Sequence, residues 1–263
     1  MYEPDELSGG PAADGLSGEP ADGLPDGLPG SPVGGPFDEP AAQAGPLTLG
    51  PADGPPRLWL VRVAEHRRLA HRLAPALLDG AERDRAASFR RPADRDLYVT
   101  AHVALRRLLG RYLDRDPAGI RLQRLPCPGC GQPHGRPAAA GAPLHFSLSH
   151  SDGIALLAFA ATPVGVDVEA LPAPDVVTDV LRTLHPEEAD ELRALPPARR
   201  PEAFTRVWTR KEAYLKGLGI GLARNPSDDY VGTGPVPPAL PGWTVTDVRV
   251  PDGYGGAVAV AAP

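Results

Sequence analysis

The stretch GIALLAFAATPVGVDVE, Gly153–Glu169, carries two different strand patterns in succession. Ile154–Ala160 is an unbroken apolar run, the pattern of a strand covered on both faces. Val164–Glu169 alternates instead: Val164, Val166 and Val168 fall on one face, Gly165, Asp167 and Glu169 on the other. The short Ala161-Thr162-Pro163 between them reads as a hairpin turn. Asp167 and Glu169 thus stand as parallel carboxylates about 6.6 Å apart along one strand. Like charges so placed repel unless a cation lies beside them. Taken alone, a solvated strand face is the commoner reading of such a pair.

Outward from this stretch the chain alternates between strand and helix patterns. RLWLVRV, Arg57–Val63, reads as a strand, and helical segments broken near Pro75, Gly80 and Pro92 follow. The last of these, Ala93–Leu113, has apolar residues at helical spacing: Leu97, Ala101, Ala104, Leu105 and Leu108. Pro126–Pro143 is a Pro- and Gly-rich loop, and HFSLS from His145 is another strand. Beyond Pro174 come three helical stretches, then the β-like WTVTDVRV and GGAVAVAA. This order points to an α+β fold, with two similar halves as one arrangement of it.

Met1–Pro56 differs from the rest. It has ten acidic residues and no Lys or Arg, which leaves 23 acids against 27 bases from Arg57 onward. The formal charge of −6 therefore hides a mildly basic body behind an acidic segment. DGL recurs three times in it, and aromatic or β-branched residues are scarce, so residues 1–56 read as a disordered tail. There is no basic n-region with an apolar h-region, and no run of about 20 apolar residues, so a soluble cytoplasmic protein is expected.

Of the 27 basic residues only Lys211 and Lys216 are lysine, and both lie in WTRKEAYLKGLG, Trp208–Gly219. The spacing predicts a helix opening at Pro201 and closing at the glycines 217, 219 and 221. Phe204, Val207, Trp208, Leu215 and Leu218 form one apolar arc with Lys211 at its centre. Glu212 and Lys216, at i and i+4, face the same way at its border. A snorkelling stem and a plain helix ion pair would account for each lysine singly. In a chain this biased toward arginine, two retained lysines suggest a need for a compact, tunable ammonium. Asp167, Glu169 and Glu212 with Lys216 also make a set suited to Mg²⁺ and phosphate oxygens.

GVDVE followed some forty residues later by WTRKEAYLK resembles the 4′-phosphopantetheinyl transferase family, in its larger, surfactin-type form with W-x-x-K-E-A. HGRP (His134–Pro137), SLSH (Ser147–His150) and the arginine-rich SFRRPADRD agree with it. The likeness covers Arg57 to the C-terminus. It implies two similar α/β halves in one chain related by pseudo-twofold symmetry, with residues 57–160 binding coenzyme A and 161–263 carrying the metal and catalytic motifs. It implies transfer of the 4′-phosphopantetheine arm of coenzyme A to a serine of an apo acyl, peptidyl or aryl carrier protein, releasing adenosine 3′,5′-bisphosphate. Fatty-acid, polyketide and non-ribosomal peptide synthesis are the pathways such carriers serve.

By the same likeness Asp167, Glu169 and Glu212 would hold Mg²⁺, or Mn²⁺ in its place. Glu212 would take the serine proton and Lys216 would meet the phosphate on the pantetheine side. His150 would bind the 3′-phosphate with Ser149 nearby, and Arg136 another phosphate. Arg85 is the best match to a coenzyme A contact and Arg90 the second. Leu97 stands where relatives often carry arginine; either Arg95 substitutes for it or the nucleotide is held differently. Lys211 is grouped with the cofactor-binding residues, with positioning of Glu212 as its other reading. A monomer is expected, with no nucleic acid or membrane partner. A coenzyme A-binding partner protein without turnover is the alternative function.

The two cysteines lie in CPGCGQPHGRP, Cys127–Pro137. A tight turn delivering Arg136 is the preferred reading. Zinc on Cys127, Cys130 and His134 is the other, with His145 as a fourth ligand, since a closed structural site takes four.

Overall fold

A computed structural model describes residues 37, 47–51, 54–221 and 224–263. Most of the acidic segment, and with it the disordered-tail reading, lies outside these residues. Within the segment Phe37 stacks on His66 with ring centroids 4.7 Å apart. Leu47 and Leu49 pack on the same core, and Leu47 N–H donates to Arg111 C=O.

Among the described residues eight strands form two three-stranded antiparallel sheets and a small hairpin. The first sheet has β5 (Ile154–Ala160) between β1 (Arg57–Arg62) and β4 (His145–Ser151). The second has β8 (Tyr254–Ala261) between β6 (Val164–Ala170) and β7 (Trp243–Asp247). The hairpin is β2 (Leu122–Arg124) with β3 (Pro137–Ala139); β3 falls within the Pro126–Pro143 segment expected to be loop, and β2 lies just before it. The helices are α1 (Val63–Leu77), α2 (Gly80–Ser88), α3 (Pro92–Leu113), α4 (Pro174–Val180), α5 (Pro186–Ala194) and α6 (Arg200–Leu218).

The two faces of β5 explain its unbroken apolar run. Ala155, Leu157 and Phe159 join Trp59, Val61 and Phe146 in a core shared with Val99, Val103 and Leu108 of α3. Ile154, Leu156, Ala158 and Ala160 face Val164, Val166, Val168 and Val258 of the second sheet. The layers are therefore helix, sheet, sheet and helix, and the apolar face of VGVDVE is buried between the sheets as its alternation predicts.

The expected hairpin at Ala161-Thr162-Pro163 does not form. β5 pairs with β1 and β4, and β6 pairs with β8, so this tripeptide is the crossover between sheets. A two-residue period shows which faces are buried but not which strand supplies the partner ladder.

Helix α6 lies directly on β6, and glycine makes this approach possible. A Cβ on Gly165 would stand 2.0 Å from the Ala213 carbonyl oxygen and 2.3 Å from Gly217 N. Gly217 in turn admits the Trp243 ring, which a Cβ would meet at 2.5 Å. The helix ends where expected: Gly219 at φ 77° closes it, its N–H bonded to Leu215 C=O.

Two buried arginines tie the connections down. Arg106 of α3 donates to Glu82 (2.6 Å), Asp79 (2.8 Å) and the Pro117 and Ile120 carbonyls. Arg210 of α6 grips Asp247 with two bonds of 2.6 and 2.7 Å and donates to Val231 and Gly232 C=O. Planar guanidinium donors suit such multidentate roles.

Candidate active site

β4 and β6 run side by side at the junction of the sheets, and serines replace a main-chain ladder between them. Ser147 Oγ accepts from Val166 N–H at 3.1 Å and Ser151 Oγ from Ala170 N–H at 3.2 Å. Between them Ser149 Oγ donates to Asp167 Oδ1 at 2.7 Å. Period 2 in HFSLSHS puts all three hydroxyls on one face of β4. That alternation was visible in the sequence, but its use was not, because the partner strand was unknown.

Asp167 is 1% exposed, at the centre of this seam. Lys216 reaches it from α6: Nζ lies 2.5 Å from Asp167 Oδ1 and 2.9 Å from Ser149 Oγ. Burial alone would depress the Lys216 ammonium, yet Asp167 and Glu212 outweigh it and hold its pKa above the ordinary lysine value. Burial pushes Glu169 up to about 7, and the Asp167 charge adds to the effect against a hydrogen bond from Ser151. Glu212 is also raised, by burial first and Asp167 next, with Lys216 opposing.

Three carboxylates thus crowd round one ammonium, and two of them are driven toward the neutral form. Asp167 Oδ2 is buried with no hydrogen-bond partner among the described residues. An unpaired buried carboxylate oxygen is costly unless something cationic completes it. Hard oxygen donors of this chemistry suit a divalent cation, although among the described residues the three carboxylates are not gathered within 4.8 Å of one another.

Arg136 comes from the loop before β3 and donates through Nη1 at 2.8 Å to the carbonyl of Gly217, the residue that follows Lys216. His150 emerges on the face of β4 opposite Ser149, the face that carries Phe146. Ser149 bridges Asp167 and Lys216. Arg85 lies over the Phe89 ring at 4.9 Å. Arg90 and Arg95 line a cleft of about 290 Å³ with His71, Phe89, Pro92 and Asp96. At the α3 N-terminus the hydrogen bond and charge of Asp94 raise the pKa of Arg91, and Asp152 of the β4–β5 turn adds a smaller contribution.

Lys211 is the correction. It is buried, 2.7 Å from Glu188 Oε2, and donates to the Asp229 carbonyl. Glu188 is fully buried, and its other oxygen accepts from Val231 N–H and Gly232 N–H. The centre of the apolar arc thus faces α5 and the 229–232 segment rather than the carboxylate cluster. Lys211 fixes the frame from which Glu212 projects, and Glu188 is a partner that sequence reasoning missed.

A model described as the 4′-phosphopantetheinyl transferase superfamily matches residues 163–237, which include Asp167, Glu169, Glu212 and Lys216. The chain is 33% identical over 209 residues to the 4′-phosphopantetheinyl transferase HetI of Nostoc sp. (strain PCC 7120 / SAG 25.82 / UTEX 2576), covering 78% of this chain and 86% of that protein. It is 26% identical over 149 residues to a 4′-phosphopantetheinyl transferase of Bacillus subtilis, covering 56% of this chain and 63% of that one. Against the 4′-phosphopantetheinyl transferase Sfp of Bacillus subtilis (strain 168) the identity is 26% over 143 residues, covering 54% and 60%.

Proposed function

Since the chain belongs to the 4′-phosphopantetheinyl transferase superfamily and moves the phosphopantetheine arm of coenzyme A to carrier proteins, we propose that the Asp167–Glu169–Glu212–Lys216 cluster is where it does so, with Mg²⁺. The observation that carries this is the buried, unpartnered Asp167 Oδ2 beside two carboxylates pushed toward neutrality.

Asp167, Glu169 and Glu212 would hold the ion, with Mn²⁺ as a substitute. When bound it supplies charge neutralisation at the pyrophosphate under attack. Glu212 takes the proton of the carrier serine as its Oγ bonds to the phosphorus. The bond to adenosine 3′,5′-bisphosphate breaks in the same displacement. A carboxylate raised by burial suits general-base work near neutral pH. Lys216, held protonated by Asp167, offers its ammonium to the phosphate on the pantetheine side. Arg136, bonded to the carbonyl of the residue that follows Lys216, meets another phosphate. Arg85, Arg90 and His150 are assigned to coenzyme A from the other side of the seam.

The same reading takes the two sheets as pseudo-twofold halves, divided at Ala161–Pro163. Both sheets place the first strand at an edge, the last at the centre and the penultimate at the other edge, which supports it. Both walls come from one chain, which supports a monomer. No helix among the described residues is long and apolar enough to cross a membrane, and the protein is assigned to the cytoplasm.

The test is mass spectrometry of apo carrier proteins incubated with coenzyme A, Mg²⁺ and this protein. A panel should span acyl, peptidyl and aryl carriers. The reading expects one phosphopantetheine arm per carrier, lost with EDTA and restored by Mg²⁺. Transfer that survives exhaustive chelation would overturn the metal assignment.

A further inference from the structure

We propose that Cys127, Cys130 and His134 form a zinc site that closes the loop carrying Arg136. The ligand atoms of these three side chains lie within 4.8 Å of one another, and Cys130 Sγ is 3.0 Å from His134 Nε2. No disulfide joins the cysteines. The C-x₂-C spacing is one that zinc sites use, and the donor set is soft sulfur with imidazole, which suits Zn²⁺ rather than Mg²⁺. Among the described residues no fourth His, Cys, Asp or Glu shares the cluster, so His145 is not a ligand and the fourth position falls to water. The site is accordingly a three-ligand one.

The backbone is folded for this. Cys127 N–H donates to Gln132 C=O at 2.7 Å, and Gly131 N–H returns to Cys127 C=O at 2.8 Å. Gly131 has φ 74°, which brings the chain round so that Cys130 and His134 meet Cys127. The Cys127 sulfur accepts hydrogen bonds from the N–H groups of Gly129 and Cys130, the kind of outer support that stabilises a ligating thiolate. Two backbone hydrogen bonds brace the stem below, Leu125 N–H to Arg136 C=O and Gly135 N–H to Leu125 C=O. A loop of mostly Pro and Gly with few apolar contacts has little else to hold it.

Binding is balanced simply. Two thiol protons pass to solvent as the thiolates and the neutral imidazole take the ion. Arg136 follows His134 by two residues and bonds the α6 carboxyl end at Gly217. The ion would therefore hold Arg136 against α6 at Gly217. That consequence for coenzyme A rests on the proposed function, whereas metal content is read without coenzyme A, so the two can fail separately.

The experiment is elemental analysis of the full chain purified under reducing conditions with Zn²⁺ supplied, beside Cys130→Ser and His134→Asn. Cys130 and His134 are exposed, so both variants should keep the native circular dichroism and melting curve shape. The wild type should hold about one zinc per chain, and each variant should lose affinity by roughly tenfold or more. Replacing the ion with Co²⁺ should give thiolate-to-metal charge-transfer absorption that Cys130→Ser weakens. Zinc near background in the wild type, zinc undiminished in both variants, or Co²⁺ without charge transfer would each overturn the site.

Discussion

The Lys216 ammonium and the Asp167 carboxylate meet at 2.5 Å across the contact between α6 and β6, with Ser149 bonded to both. This pairing satisfies one Asp167 oxygen and leaves the other buried without a partner. The cluster is thus poised for a second cation. Four predictions test it and the frame that builds it.

Glu212→Gln keeps the shape of the side chain and removes its charge. It should lower kcat for phosphopantetheine transfer by about 10²–10⁴-fold, the usual span for a lost general base. Melting temperature should hold or rise, because a raised carboxylate pKa means the charge is unfavourable in the folded protein. A variant that melts normally and transfers at the wild-type rate would remove Glu212 from the chemistry.

Lys211 and Glu188 form a buried pair 2.7 Å apart. Removing one partner leaves the other charged and buried, so Lys211→Met should lose about 3–5 kcal/mol of stability. Adding Glu188→Gln should recover part of that loss, less any cost at the Val231 and Gly232 N–H groups that Glu188 also serves. Urea denaturation of the two single variants and the double variant gives the coupling directly.

Gly165→Ala tests the contact that brings the site together. Its Cβ would be driven into the Ala213 carbonyl and Gly217 N, both backbone, so neither can swing aside. Overpacking of this kind costs about 1–3 kcal/mol or more and should also push α6 off β6. Thermal melting should show the loss, and transfer activity should fall even at temperatures where the variant is folded.

Glu82 gives the fold a pH-dependent contribution to stability. Burial raises its carboxyl pKa, but hydrogen bonds involving His102 and Asp79 N–H and the charges of His102 and Arg106 outweigh burial and hold it below the ordinary 4.5. A depressed carboxyl contributes stability that is present above its unfolded value and lost as pH falls through its folded value. The stability curve should therefore drop below about pH 4.5. Glu82→Gln should flatten that limb while lowering stability at neutral pH, because Arg106 stays buried with less negative charge beside it. Urea denaturation across a pH series measures both effects.

Much of this molecule was readable from the chain, and the reason is local periodicity. The alternation of VGVDVE assigned its valines to the interior and its carboxylates to one face. The i, i+4 spacing set Glu212 and Lys216 on the side that meets those carboxylates. Pro and Gly marked where the helices begin and end.

What periodicity cannot supply is the identity of a distant partner. Helical spacing in WTRKEAYLKGLG puts the two lysines at different places round the axis, but only the fold shows that one meets Asp167 and the other Glu188. Ala161–Pro163 has the composition of a turn, but the apolar faces of two sheets made it a crossover. The serines of β4 became a seam only when β6 lay beside them. The sequence by itself determined which groups carry charge and which faces must be buried. Tertiary packing decided which buried charge answers which.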